Sequence, residues 1–459
     1  MTVTLHLESS NSDAHSRRTL ADLSLSVAKC RRIVVVTGAG ISCSCGIPDF
    51  RSSDGLYALI KQQYPDAVLK GRDLFEASLF RDPKSTAIFY TFISQLKHSI
   101  DSAVPSPTHK FLKTLDAKKK LLRSYTQNID GFEEQAGLLG SSSRDVRGDG
   151  KGKSKNRARD VRNVQLHGDI HRVRCMTCAA EFSCTQEHLN YFSEGMSPAC
   201  SECLTRSNAR VARSARPIKI GSLRPAIVLY GETHPLGDEI GNIQTIDMSR
   251  KPDMLIIMGT SLKVHGLKKL VKDFARSVHA SSPSDNPAMP SQRKRWAGKV
   301  IFVNKTPPGS EWSNLIDYHV VGETDAWTTK VISDWKRMRP ADWEVQQTLV
   351  ASDGDVTMAG PFKVVKEVST ATTKGKCKGF GKLAAAENKP PSPSDMVLST
   401  PDIKRVHTPP SPSKRRQAAE HYNDREASPS KKRTYSSKRI PLAESERKLL
   451  FAESTNLHD

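Results

Sequence analysis

Five short stretches hold the residue types that do chemistry. The first is Thr37-Gly38-Ala39-Gly40-Ile41-Ser42, entered directly from the apolar, β-branched run at 33–36. Small residues at such a strand end let backbone amides approach a pyrophosphate, whose charge suits a helix N-terminus. The spacing is not GxGxxG, and the continuation sharpens it: Gly46-Ile47-Pro48-Asp49-Phe50-Arg51 sets a rigid turn, an acid, an aromatic ring and a guanidinium within six residues. The second is Gln127-Asn128-Ile129-Asp130-Gly131, polar side chains at a strand end, where a parallel sheet delivers them to a ligand crevice. The third is His167, in Leu166-His167-Gly168. An imidazole, with an ordinary pKa near about 6.5, is suited to accept a proton at neutral pH. Gly259-Thr260-Ser261, after an apolar run, is the fourth.

The fifth is a thiol pattern. Cys175 and Cys178 form one CxxC, 21 residues pass, and Cys200 and Cys203 form another. Each knuckle turns two thiolates to one side, and two knuckles close a tetrahedral shell with no open position. That is the pattern of structural zinc, and zinc is favoured over iron–sulfur. Cys184 lies inside the segment but outside the spacing and reads as a spare thiol.

The elements that must position these groups follow from periodicity. Apolar runs at 33–36, 121–125, 226–230, 254–258 and 300–304 read as strands, with helical spacing at about 20–31, 55–100, 109–115 and 267–278. Alternating strands and helices predict an α/β, Rossmann-like, doubly wound parallel sheet, with the zinc module inserted as a small separate unit. Residues 1–19 are polar and read as a disordered N-terminus. Residues 141–163 carry eight Lys/Arg against three Asp and read as a basic surface insertion that either stays solvated or touches DNA or an acidic partner. Past about residue 336 Ser, Thr, Pro, Lys and Arg dominate, which predicts a largely disordered basic tail to 459.

The chain's 459 residues fit one large domain with tails, and its 37% hydrophobic content agrees with unpacked segments. A net charge of +21 favours a chromatin or nucleic-acid neighbourhood. No run of about 18 apolar residues and no signal-peptide core is present, which predicts an intracellular, soluble protein with its nine cysteines reduced.

Together these motifs, in this order, resemble the sirtuins, NAD-dependent protein deacylases, over roughly residues 20–335. The SSDGLY and GTSLKVHG segments and the basic tail look most like the fungal nuclear branch acting on the core of histone H3. The resemblance implies an NAD-dependent protein-lysine deacetylase, with NAD as co-substrate and one structural zinc. His167 is the implied general base, activating a ribose hydroxyl, and Asn128 would hold the ribose and an ordered water. Asp130 with the Ile129 backbone would grip the nicotinamide carboxamide, and Gln127 would contact ribose. Gly38, Ala39, Gly40, Ile41, Asp49, Phe50 and Arg51 belong to the implied cofactor loop. Gly259, Thr260 and Ser261 would contact phosphate and ribose, Asn304 the adenine ribose and, more loosely matched, Asp325 the adenine. Tyr230-Gly231-Glu232 and Val264-His265-Gly266 would flank an acetyl-lysine peptide added as a strand.

Tyr230 stands where Phe is usual and Gly266 where Pro is frequent, while Cys43 and Cys45 replace small or hydroxylated residues; none removes a catalytic group. Alternatives on the same scaffold are a mono-ADP-ribosyltransferase, a long-chain deacylase or a non-catalytic NAD-sensing chromatin scaffold. The zinc-module segment is read as 172–206. In the tail, Lys414-Arg415-Arg416 and Lys431-Lys432-Arg433, 14 residues apart, read as a bipartite import signal and imply nuclear localisation through an import receptor. Ser411 and Ser428, each before proline, read as kinase sites, and Thr408-Pro-Pro-Ser411 as a phosphodegron for a ubiquitin ligase.

Overall fold

The strand Ile33–Thr37 (β2) is buried at every position, as expected of a central parallel strand covered on both faces. Its alternate side chains divide between two cores. Ile33 and Val35 pack with Leu20, Leu23 and Val27 of the helix Ala14–Lys29 and with Trp327, Val331 and Trp335 of the helix Thr324–Met338. Val34 and Val36 face Leu267, Val271, Phe274 and Val278 of the helix His265–Ala280. Helices on both faces make the sheet doubly wound. A computed structural model describes residues 2–8, 13–50, 55–63, 71–141, 160–280 and 296–344, and the backbone strands Thr348–Ala351 and Phe362–Val365.

The main sheet has seven strands. With β1 (Val3–His6), β3 (Leu121–Thr126), β4 (Asn163–Gln165), β8 (Met254–Met258), β9 (Lys299–Val303) and β10 (Tyr318–Val321), its order is β1-β10-β9-β8-β2-β3-β4. Every neighbouring pair is parallel. The ends of β2, β3, β8 and β9 therefore point to one edge. A second sheet, β6-β5-β7, joins Glu181–Ser183 (β6), Gly168–Cys175 (β5) and Leu223–Ile227 (β7) in antiparallel pairs. A third core belongs to this part: Phe89, Phe92 and Leu96, from the helix Pro83–Ser102, pack with Phe192, Val173 and Leu223. That helix starts on Pro83 behind the Asp82 cap, whose carboxylate accepts from the Ser85 amide at 2.7 Å.

Four expectations are corrected. The N-terminus is not wholly unstructured: β1 is an edge strand whose Val3 faces Tyr318, and only Leu5 of its four residues is buried, so no apolar run betrays it. The strand expected at 226–230 lies at Leu223–Ile227 and belongs to the small antiparallel sheet, because it pairs with β5 rather than with β8. The stretch 55–100 is broken by the 3₁₀ turns Gly71–Phe75 and Ala77–Arg81 before the long helix begins. The folded part also runs past 335: the last helix reaches Met338, and Trp343 packs edge-on against Trp335 at 5.2 Å.

The basic insertion begins and ends on the sheet. The Ser141 amide donates to the Asn163 carbonyl at 2.9 Å and Val161 is buried, so its last residues are packed rather than solvated. Positions 142–159 lie outside the described residues. A separate unit, 345–438, contributes an antiparallel pair, Thr348–Ala351 with Phe362–Val365. The import, kinase and degron motifs of the tail lie outside the described residues. Among those residues no helix is long and apolar enough to cross a membrane.

Candidate active site and metal centre

Backbone contact between strand ends builds the floor of the site. Gly38 N–H donates to Met258 O (3.1 Å), Gly40 N–H to Gly259 O (2.9 Å) and Gly259 N–H to Val303 O (3.2 Å). A Cβ on Gly40 would stand 2.8 Å from Gly259 Cα, and Gly259 has φ +59°, so neither position accepts a side chain without displacement. Gln127 reaches the same point, its Nε2 donating to the Thr260 hydroxyl at 2.7 Å. The first loop, Gln127 and the Gly259-Thr260 pair thus meet at one strand edge.

Beside this floor the loop carrying Ala39 and Ser42 closes on the end of β3. Ser42 Oγ donates to Asp130 Oδ2 (2.7 Å) and accepts from Asn128 Nδ2 (3.2 Å). Asp130 also accepts from the Phe132 amide at 3.1 Å. Asn128 is 4% exposed, yet its Oδ1 has no hydrogen-bond partner among the described residues. A small pocket opens there, lined by Ala39, Ser42, Pro48, Phe50, Asn128 and Asp130. Burial pushes the Asp130 carboxyl upward, against the hydrogen bonds from Ser42 and Phe132. Phe50 is held edge-on to Phe75 at 5.4 Å, and Arg51 lies outside the described residues.

His167 sits between β4 and β5. Its Nδ1 is 2.9 Å from the Gln127 carbonyl, which places the proton on Nδ1 and leaves Nε2 as the acceptor. Burial, reinforced by nearby His234, lowers its pKa below the ordinary value, so the ring is neutral at pH 7. Gly168, with φ +83°, turns the chain into β5, and Val228 N–H donates back to His167 O at 2.9 Å.

The expected peptide-flanking segments are partly committed to internal contacts. Tyr230 pairs with the 75–77 segment through Phe75 O (2.8 Å) and Ala77 N (2.9 Å). Glu232 closes an ion pair with Arg224 at 2.6 Å and caps the Leu229 amide at 3.1 Å. Gly231, with φ +79°, makes the turn between them, and Val264, His265 and Gly266 open the next helix, the last two exposed. Ser261 is exposed at the edge of the floor. Asn304 donates to Thr306 Oγ1 at 2.8 Å at the end of β9. Asp325 spends its two oxygens on Ser44 Oγ (2.6 Å) and the Thr108 amide (2.9 Å), stapling the first loop to two helices.

Sequence reasoning missed Ser42, although it ends the Gly-Ala-Gly-Ile-Ser run. It also missed His234, two residues after Glu232, and Glu133, which is fully buried behind Asp130. No spacing rule marks the last two.

The four cysteine sulfurs lie within 4.8 Å of one another, with Cys175–Cys203 at 3.8 Å and Cys178–Cys200 at 3.7 Å. Four thiolates around zinc at about 2.3 Å in a tetrahedron require sulfur separations of about 3.8 Å. Amides of Thr177 and Cys178 donate to the Cys175 sulfur at 3.3 and 3.4 Å, as a CxxC knuckle should. Gly221 passes so close that a Cβ would be 2.5 Å from that sulfur. These residues fit a closed, structural zinc. Cys184 is outside the set, and burial pushes its thiol up to about 11.

The Sir2 family model matches residues 38–145 and 154–266. The chain is 43% identical over 307 residues to the NAD-dependent histone deacetylase HST3 of Candida albicans, covering 65% of this chain and 58% of that protein. It is 41% identical over 309 residues to the HST3 of Saccharomyces cerevisiae, covering 66% and 65%. To the NAD-dependent protein deacetylase hst4 of Schizosaccharomyces pombe it is 33% identical over 351 residues, covering 74% and 78%. The chain thus spans less than two thirds of the length of the first two of these relatives. Its motifs, its site geometry and the relative of which it covers 78% agree: the chain belongs to the Sir2 family.

Proposed function

We propose that the chain is an NAD-dependent protein-lysine deacetylase acting on acetylated histones in the nucleus. The carrying observation is the buried Asn128 Oδ1, without a partner among the described residues, in a pocket that also presents Ser42 and Asp130, with the neutral His167 held by Gln127 on the same strand end. An unpaired buried acceptor is costly, and a ribose hydroxyl would satisfy it.

In the reaction, the acetyl oxygen of an acetyl-lysine forms a bond to the ribose carbon that carries nicotinamide, and the bond to nicotinamide breaks. His167 Nε2 takes the proton of a ribose hydroxyl, whose oxygen attacks the acetyl carbon. Water completes release of the lysine amine and leaves an O-acetyl-ADP-ribose. Asp130 and the Ile129 backbone orient the carboxamide, Gly38 to Ile41 and Gly259 to Ser261 take the phosphates and adjoining ribose, and Asn304 meets the adenine ribose. The four cysteines would hold a structural zinc in a closed shell that leaves no open position for this chemistry. The relatives' printed names supply the histone class, and the basic tail supplies the import signal.

The test is nicotinamide release and mass loss at each lysine of acetylated histones, with wild type and His167→Ala. NAD-dependent deacetylation lost in the variant supports the reading. Nicotinamide release without deacetylation replaces it with ADP-ribosyl transfer.

A further inference from the structure

Behind Asp130 lies a cluster the reaction above does not use. His109, on the helix Pro107–Ala117, and Glu133, on the short helix Phe132–Gln135, are both fully buried. One atom of each lies within 4.8 Å of the other and of an Asp130 carboxylate oxygen. His109 Nδ1 accepts the Ser106 amide at 3.1 Å, so the ring proton sits on Nε2. That Nε2 and Glu133 Oε2 have no hydrogen-bond partner among the described residues. The other Glu133 oxygen accepts from the Thr37 hydroxyl at 3.2 Å.

Two buried carboxyls this close cannot both carry charge cheaply when the imidazole beside them is neutral. The donors decide which one keeps its proton. Asp130 receives a backbone amide, Phe132 N, and a short 2.7 Å hydroxyl bond from Ser42, whereas Glu133 receives only threonine hydroxyls, Thr37 at 3.2 Å, and its Oε2 has no partner among the described residues. The charge therefore settles on Asp130.

We propose that Glu133, together with His109, is a positioning residue: a buried neutral acid that fixes the charged Asp130 carboxylate toward the bound nicotinamide. This rests on the reading of Asp130 given above. Burial and the Asp130 charge push Glu133 up to about 8, and burial brings His109 down to about 4. The other groups facing the cluster are the hydroxyls of Thr37 and Thr126 at Glu133, His171 and Asp169 at Asp130, and Asp325 at His109. Glu133 alone is carried to the neighbourhood of pH 8. Above that pH its ionisation sets a second negative charge beside Asp130 and disturbs the carboxamide grip.

The experiment follows nicotinamide inhibition of the full chain from pH 6.5 to 9.5 in wild type, Glu133→Gln and Asp130→Asn. Wild type should lose about tenfold in nicotinamide affinity between pH 7 and 9, the factor that accompanies one unit of linked pKa change. Glu133→Gln, a neutral isostere, should match wild type at pH 7 and stay flat to pH 9. An alkaline loss that persists in Glu133→Gln, or no loss in wild type, overturns the proposal. Carboxyl-carbon NMR of the wild type gives a readout independent of the variant's folding: a buried glutamate titrating near 8 supports it, and only titrations near 4.5 overturn it. If Asp130→Asn leaves nicotinamide affinity unchanged at pH 7, the Asp130 reading itself fails, whatever Glu133 does.

Discussion

The hydroxyl of Ser42 donates to Oδ2 of Asp130 across 2.7 Å while accepting from the Asn128 amide, so one side chain of the first loop fixes both groups at the end of β3. Ser42→Ala should leave the fold intact and cost about 1–3 kcal/mol at the site, the usual consequence of removing one partner of a buried polar group. The measured quantity is kcat/KM for NAD, expected to fall roughly 10- to 100-fold. An unchanged value would show that the bridge does not orient Asp130.

The acid limb of the rate profile should belong to His167. Burial depresses its folded pKa below about 6.5, so the neutral base and the stability linked to it are both present above that pH. Both are lost as pH falls through the lower, folded value. Deacetylation should therefore be level through pH 7 and decline only at pH values below the ordinary imidazole pKa of about 6.5, and His167→Ala should lose roughly 10²- to 10⁴-fold in kcat.

Gly259 tolerates no side chain. Its φ of +59° and a Cβ position 2.6 Å from the Ile41 amide mean that Gly259→Ala must push the first loop off the strand end. NAD binding, followed calorimetrically, should weaken by at least tenfold, with a smaller drop in melting temperature.

A buried ion pair fastens β3 to the helix Gly237–Ser249. Arg123 Nε and Nη2 each meet an Asp247 oxygen at 2.8 Å, Tyr125 OH donates to the same carboxylate at 2.8 Å, and the Arg123 guanidinium also donates to the Val161 carbonyl. Asp247→Ala leaves a buried cation without its counterion and should cost about 3–5 kcal/mol in a denaturant titration. Replacing Arg123 with Met and Asp247 with Leu together should recover most of that loss.

Chelation of the metal should unfold the segment between β5 and β7 first. Because Cys200 N–H donates to Gly221 O and Gly221 packs on the Cys175 sulfur, the two knuckles hold one another. Cys203→Ser should lower bound zinc below one per chain and raise protease sensitivity near residues 176–220. Full zinc content in that variant would remove Cys203 from the ligand set.

What could be read from sequence was whatever local spacing encodes. The β2 strand, its glycine turn, the Gln127–Asp130 cluster and the four thiols each announce themselves within a few residues, and the structure brings them to one sheet edge and one metal shell. Long-range pairing was not readable. Nothing in Val3–His6 says that its partner is Tyr318–Val321, since an edge strand buries only Leu5. The strand ending at Ile227 has the composition of a main-sheet strand, and only its pairing with β5 assigns it elsewhere. Glu133 looks like any helical glutamate until the fold surrounds it. Asp325 matched a nucleotide-facing position only loosely, and its carboxylate proves to be held by Ser44 and the Thr108 amide.

The pairing of β1 with β10 bears on how the protein is made. The Thr2 hydroxyl bonds the carbonyl of Ile316, 314 positions further along. On a ribosome the first strand waits, unmated, while nearly the whole main sheet is synthesised, and the sheet's border is sewn shut only when its last strand emerges. Contacts of such span form late because loop closure must come first. Nascent chains stalled before residue 318 would carry an open parallel edge, a natural handle for chaperones, and a bulky fusion at Thr2 would obstruct the final seam rather than the active centre.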